Sequence, residues 1–284
     1  MRIDEEELIL QDQEMRLTLA PHVGGAIREL KWGARDLLRP GPLESTDPFE
    51  MACFPMVPFV NRVAHGRFKF AGRTVQIQRN WSQDPHPLHG QGWRAPWSVI
   101  ATTPTSATLG FEGGGDEWPW RYRSQQRFEI SPGQMSIELA VENMSNAVMP
   151  VMLGLHPYFP DATHAQLRAR LPRVWVTDPE ALPLEERLTP AEWRFDPPRA
   201  VQRVSLDHCL SGWDGSAWLR WPDRLITLTA KACRYLHVYT PRGRDFFCIE
   251  PQTCAAGALG RGQADVLAPG ERCAISMHLT SEAT

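Results

Sequence analysis

The chain has 284 residues, and its 30 basic against 33 acidic side chains leave a formal charge of -3. That near balance, with no Lys/Arg block, excludes a protein that tracks a phosphate backbone, so nucleic acid is not an expected partner. The length is ample for a large core, which makes one domain over 1–284 the expectation.

In chain order, Met1–Glu7 is acidic and lacks the basic start and apolar core of a secretory signal. Alternation then sets Met15, Leu17 and Leu19 against Arg16 and Thr18, the period of a strand with one solvated face. Residues 40–52 form a polar, breaker-rich excursion. A hairpin is predicted over 67–77, where Phe68, Phe70, Val75 and Ile77 flank a turn at Ala71-Gly72. A second excursion covers 80–96, short strands follow near 97–103 and 107–111, and a third excursion covers 113–119. Further strands are predicted at 121–130 and around Ile137, Leu139 and Val141. The apolar run 148–155 contains Pro150 and is far too short to cross a bilayer, so no membrane partner and a cytoplasmic location are expected. Residues 182–198 read as a fourth excursion and the weak candidate for a domain boundary. Strands close the chain near 217–221, 225–231, 235–239, 246–249 and 273–279. Twenty-five prolines and 21 glycines favour many bounded strands over long helices, and the fold class is mostly β.

The six cysteines, at 53, 209, 233, 248, 254 and 273, form neither a C-x-x-C pair nor a dense disulfide pattern, which points to structural thiols in a reducing compartment. Two segments supply chemistry. Gly154-Leu155-His156-Pro157-Tyr158-Phe159 offers an imidazole, and Ile249-Glu250-Pro251-Gln252-Thr253 offers a carboxylate. Brought to opposite sides of one substrate, such a pair moves two protons without metal or cofactor. His86 and His89 have H-x-x-H spacing but lack a third ligand and the zincin pattern, so no metal is expected there. Eleven tryptophans are many for this length, and Trp93, Trp118, Trp120 and Trp213 sit in loop-like contexts where an indole could underlie a sugar face. Trp218 and Trp221 fall in strand patterning and read as packing residues. Arg234, Arg242 and Arg244 flank the Glu250 segment, as either an anion site or a solvated cluster.

The chain resembles the aldose 1-epimerase, or galactose mutarotase-like, family. The resemblance is carried by the ordered features Pro55-Met56-Val57-Pro58-Phe59-Val60-Asn61-Arg62, Leu88-His89-Gly90, Gly154–Phe159, Leu206-Asp207-His208-Cys209 and Ile249-Glu250-Pro251. It implies a large antiparallel β-sandwich, the supersandwich of that family, and cofactor-independent interconversion of the α and β anomers of a free aldohexose such as galactose or glucose. In that scheme Glu250 takes the proton of the anomeric hydroxyl and His156 protonates the ring oxygen; the ring opens, C1–C2 rotates, and closure gives the other anomer. The resemblance also implies that Arg62, His89 and Asp207 orient the pyranose. Asn61 is balanced between sugar contact and turn hydrogen bonding, and His208 and Cys209 read as structural. The rival readings are a non-catalytic carbohydrate-binding or sensing protein, a mutarotase for a phosphorylated or other anionic sugar, and epimerisation at another carbon.

Overall fold

The computed structural model describes residues 7–284; most of the acidic segment noted above, residues 1–6, lies outside the described residues. Two large antiparallel sheets carry the chain. The larger runs in the order Leu8–Asp12, Met15–Ala20, Ala26–Trp32, Cys53–Met56, Gly154–Pro160, Phe246–Gln252, Tyr235–Tyr239, Asp207–Ser211, Arg173–Thr177, Pro183–Leu188, with the short Arg35–Asp36 on Ala26–Trp32. The second runs Arg199–Ala200, Gln166–Ala169, Ser216–Trp221, Arg224–Lys231, Arg272–Glu282, Gln134–Asn143, Tyr122–Ser131, Ser106–Gly113, Ser98–Thr103. Among the described residues the single α-helical element is the turn Ala258–Arg261, and none is long and apolar enough to cross a membrane.

Side-chain alternation builds the sandwich. In Tyr122–Ser131 every second residue is buried or nearly so, and the same period places Met135, Ile137, Leu139 and Val141 of the neighbouring strand in one core with Leu17, Leu19 and Phe159 of the other sheet. At about 25 cal/mol per Å² of apolar surface removed from water, this shared layer is the main source of cohesion. A buried polar tie reinforces it: Gln126 Nε2 donates to the Gly25 carbonyl across 2.9 Å.

The predicted strands and the 67–77 hairpin, realised as Arg67–Phe70 against Arg73–Gln76, are present. The excursion at 182–198 is a correction, because it contains the strand Pro183–Leu188 paired with Arg173–Thr177. That edge strand is exposed at four of six positions, so it lacks the apolar period by which a strand is recognised. All six cysteines are unpaired thiols, five of them buried.

Candidate active site

Five adjacent strands of the larger sheet bring one row of side chains together. Register pairs His156 with Phe54, Glu250 with His237, and His237 with Cys209, while the pairings Gly154–Gln252 and Tyr158–Cys248 set His156 opposite Glu250. The row therefore reads Phe54, His156, Glu250, His237, Cys209. Because successive residues of a strand face opposite ways, Leu155 and Phe159 enter the core while His156 and Tyr158 line a cavity of about 550 Å³. That volume falls in the range of small-ligand sites, about 300–1,000 Å³. Asn61, Arg62, His89, Asp207 and Glu250 line the same cavity as His156, so the six residues singled out in the sequence converge, and His237 joins them.

His156 Nε2 lies 3.4 Å from Glu250 Oε1, and both residues are buried. The His156 ring is held between Phe54, centroids 4.5 Å apart, and Tyr158, stacked at 4.7 Å. Burial raises the Glu250 carboxyl from 4.5 to about 7, against the pull of the neighbouring His237 cation. Burial together with the same cation pushes the His156 imidazole down to about 3. His237 moves the other way: burial alone would lower it, but the Glu250 carboxylate and the hydrogen bond to Asp207 hold it well above its ordinary value. His237 Nε2 donates to Asp207 Oδ1 across 2.8 Å. That bond outweighs burial at Asp207 and holds its carboxyl at about 2, although Asp207 sits half exposed on the cleft rim.

Two loops close the other side. Asn61 and His89 both adopt left-handed backbone conformations, φ 56° and 55°. They are cross-tied: the Asn61 N–H donates to His89 Nδ1 at 3.2 Å, and the His89 N–H donates to the Asn61 carbonyl at 3.1 Å. A neutral His89 must then carry its proton on Nε2, and burial next to His156 and Arg62 keeps it neutral by lowering it well below its ordinary value. The neighbouring Gly90 has φ +76°, and a Cβ there would come within 2.1 Å of the Val57 carbonyl oxygen, so this approach of the two loops requires glycine. Buried Asn80 clamps the same loop, donating to the Leu88 and Gly90 carbonyls at 2.8 and 2.7 Å and accepting from the Leu88 N–H at 2.8 Å. Arg62 Nε donates to Asp84 Oδ2 at 2.8 Å, which fixes the direction of the guanidinium at the cleft. The Asn61 side chain accepts from the Arg62 N–H at 2.8 Å, a turn hydrogen bond of the kind expected for it.

None of the four loop tryptophans lines the cavity, which corrects the expectation for each. Trp93, Trp118 and Trp213 are buried, at 1%, 0% and 6% exposure, and none lines the cavity. Trp93 Nε1 instead donates to the Leu88 and Gly90 carbonyls at 3.0 Å, making it a strut of the His89 loop. Trp120 packs against Phe68 and Phe70 and also lies outside the cavity. The indole on the cavity wall is Trp81, with Phe49 beside it at 4.8 Å. Trp81 and His237 are the residues that sequence reasoning missed. His237 shares the alternating face of Tyr235 and Tyr239, and that period was its one available signal. His208 stacks on Trp193 at 4.9 Å. Of the three arginines near the Glu250 segment, Arg244 lines the cavity, whereas Arg234 pairs with Asp265 at 2.7 Å.

His86 and His89 do not form a joint ligand pair through their Nδ1 atoms, since each accepts a backbone N–H there, His86 from His65 at 3.1 Å. Among the described residues, His156, Cys248 and Glu250 are the set whose donor atoms lie close enough to share an ion, all within 4.8 Å. Burial holds the Cys248 thiol well above its ordinary value, which opposes the thiolate such a site needs.

The family model described as aldose 1-epimerase matches residues 7–280. The uncharacterized protein YphB of Escherichia coli (strain K12) is 32% identical over 274 residues, covering 91% of this chain and 93% of that protein. The crystal structure of a candidate aldose 1-epimerase from Escherichia coli K12 superposes with a TM-score of 0.92 at 29% identity, covering 98% of this chain and 99% of the other. A galactose mutarotase-like protein from Clostridium acetobutylicum shares the fold, with a TM-score of 0.87 at 18% identity and 98% of both chains covered.

Proposed function

The chain belongs to the aldose 1-epimerase family, and from that premise we propose that it interconverts the α and β anomers of a free aldohexose by acid–base ring opening and closure. The observation that carries the reading is the His156–Glu250 pair, 3.4 Å apart in the cavity wall with the carboxyl poised at about 7. Such a pair works when it holds a single proton. With the proton on His156, the Glu250 carboxylate takes the hydrogen of the anomeric hydroxyl while the imidazolium delivers its proton to the ring oxygen, and the C1–O5 bond breaks. The products are the open-chain aldehyde, a neutral imidazole and a protonated Glu250. Rotation about C1–C2 and reversal of both transfers close the ring as the other anomer.

In the empty cleft the proton rests on Glu250, the more basic partner, at about 7 against about 3 for His156. The sugar's ring oxygen and anomeric hydroxyl bind where they reward the opposite arrangement. Arg62 and the Nε2–H of His89 donate to sugar oxygens, Asp207 accepts from hydroxyls on the rim, and Trp81 underlies a C–H face. Asn61 acts chiefly by shaping the turn that presents Arg62.

The test is the initial rate of optical-rotation change of freshly dissolved α-galactose and α-glucose. Acceleration by the wild-type protein, lost in folded Glu250→Gln, supports the reading. Saturable sugar binding without acceleration supports a non-catalytic binding protein instead. One observation favours a second reading: Arg244 lines the cavity and, among the described residues, has no acidic partner within ion-pair distance, so an anionic aldose belongs in the same assay.

A further inference from the structure

Glu250 has a neighbour on each side of the row. One is His156, already assigned as its partner in proton transfer; the other is His237, directly opposite in register on Tyr235–Tyr239 and 5% exposed. Its Nε2 is committed to Asp207 at 2.8 Å, a diagonal contact, since Asp207 itself pairs with Tyr239. Its Nδ1 is buried without a hydrogen-bond partner. His237 therefore offers a sugar no accessible donor, because Nε2–H is taken by Asp207 and the Nδ1–H of the imidazolium is enclosed, although the residue lines the catalytic cavity.

We propose that His237 is a positioning residue of the reaction: clamped by Asp207, it presents a fixed positive charge to the Glu250 carboxylate from the side opposite His156. This rests on the reading of Glu250 as the base. Among the other charged and titratable groups around Glu250, Arg62 acts on the carboxylate in the same sense as His237 but more weakly. The Arg62 guanidinium is bound to Asp84 at 2.8 Å, and the Arg39 guanidinium lies over the Tyr158 and Phe246 rings at 4.0 and 4.6 Å. His89 and His156 are held neutral by burial. Tyr158, Cys53 and Cys248 are held uncharged in the same way. Tyr239, half-buried on the strand of His237, is also shifted toward its neutral form by burial. Cys209, on the far side of His237, is buried against Gln252 Nε2 at 3.1 Å. Asp207 opposes the effect, but it sits one strand further away and on the rim. The arrangement keeps a buried carboxyl usable as a base at neutral pH without giving the cavity a second mobile proton beside the one on the His156–Glu250 pair.

The test is a carboxyl titration by NMR on protein labelled with ¹³C at the glutamate side chain, with the Glu250 signal identified by its loss in Glu250→Gln. The wild-type midpoint is expected near 7. In His237→Gln it should rise by about one unit or more, and the alkaline limb of kcat/KM should move up with it, which a structural lesion alone would not do. His237→Lys, which restores a cation, should return the midpoint toward the wild-type value. An unmoved or lowered midpoint in folded His237→Gln overturns the proposal whatever the activity. Should that variant not fold, the ¹⁵N spectrum of the wild-type imidazole decides, and a neutral His237 ring at pH 7 overturns it. A shifted midpoint in a protein inactive on every sugar would retain the electrostatic role of His237 and remove the mutarotase reading, so the two claims fail separately.

Discussion

Glu250→Gln is expected to make the protein more stable as well as inactive, and the size of the gain follows from the site. Glu250 is 2% exposed, and its carboxyl is raised from 4.5 to about 7, chiefly by burial. The folded state thus keeps a proton that the unfolded chain releases on passing 4.5, and wild-type stability is lost as pH rises from there through about 7. A displacement of about 2.5 units, at about 1.4 kcal/mol each, is about 3.5 kcal/mol once Glu250 is fully ionised. Glutamine keeps the shape and cannot ionise, so it escapes that cost. Urea unfolding followed by tryptophan fluorescence, run from pH 4 to pH 8.5 on both proteins, should show the mutant's advantage growing by about 3.5 kcal/mol across this window and then levelling off. A stability difference independent of pH, or one that shrinks as pH rises, would refute the claim that the site holds a carboxyl against its preference. The same change removing activity and adding stability is the trade-off expected where function requires a poorly solvated charge.

The remaining predictions separate binding from packing. Arg62→Lys keeps the charge but loses the fork that Asp84 aims at the cleft; at about 1.5–3 kcal/mol for a charge-assisted hydrogen bond, kcat/KM should fall roughly ten- to a hundredfold with the urea midpoint nearly unchanged. An unaltered kcat/KM would remove Arg62 from the sugar. Trp81→Ala should raise KM several-fold with little loss of stability, on the order of 1 kcal/mol of stacking, while Trp93→Ala should cost about 3–5 kcal/mol of folding free energy as a truncated core strut. Steady-state kinetics and thermal unfolding of the two variants side by side check this, and the reverse pattern would mean the two indoles have been assigned the wrong way round. The kcat/KM profile of the wild-type enzyme should fall as pH rises through about 7, where the His156–Glu250 pair gives up its single proton, and a profile flat to pH 9 would rule out a one-proton pair.

The legible and illegible parts of the sequence divide along physical lines. Strands with one buried face announce themselves by period two, as Met15–Ala20 and Gln134–Asn143 do. Gly154–Pro160 and Phe246–Gln252 are covered on both faces, so their alternation is masked, and it is the His-Pro and Glu-Pro motifs rather than periodicity that single out His156 and Glu250. Pro183–Leu188 failed for the opposite reason, being an edge strand with too little buried surface to leave a pattern. At the cavity, the residues that the sequence singles out lie inside contiguous motifs. His237 does not, because its place opposite Glu250 on the neighbouring strand is a relation set by register and absent from local sequence. The tryptophans show the same limit: Trp81 and Trp93 lie twelve positions apart in one polar segment, and only the Nε1 bonds to Leu88 and Gly90 distinguish the buried strut from the cavity wall.

In the proposed reaction the chemistry is confined to the anomeric centre and depends on Glu250. Two-dimensional exchange NMR on an equilibrium mixture of α- and β-galactose, or of the aldose that binds best, tests both halves at once. Wild-type protein should give α–β exchange cross-peaks that disappear with folded Glu250→Gln, with no resonances of any other sugar after prolonged incubation. Exchange that persists in Glu250→Gln, or the growth of a second sugar's signals, would contradict the proposed reaction.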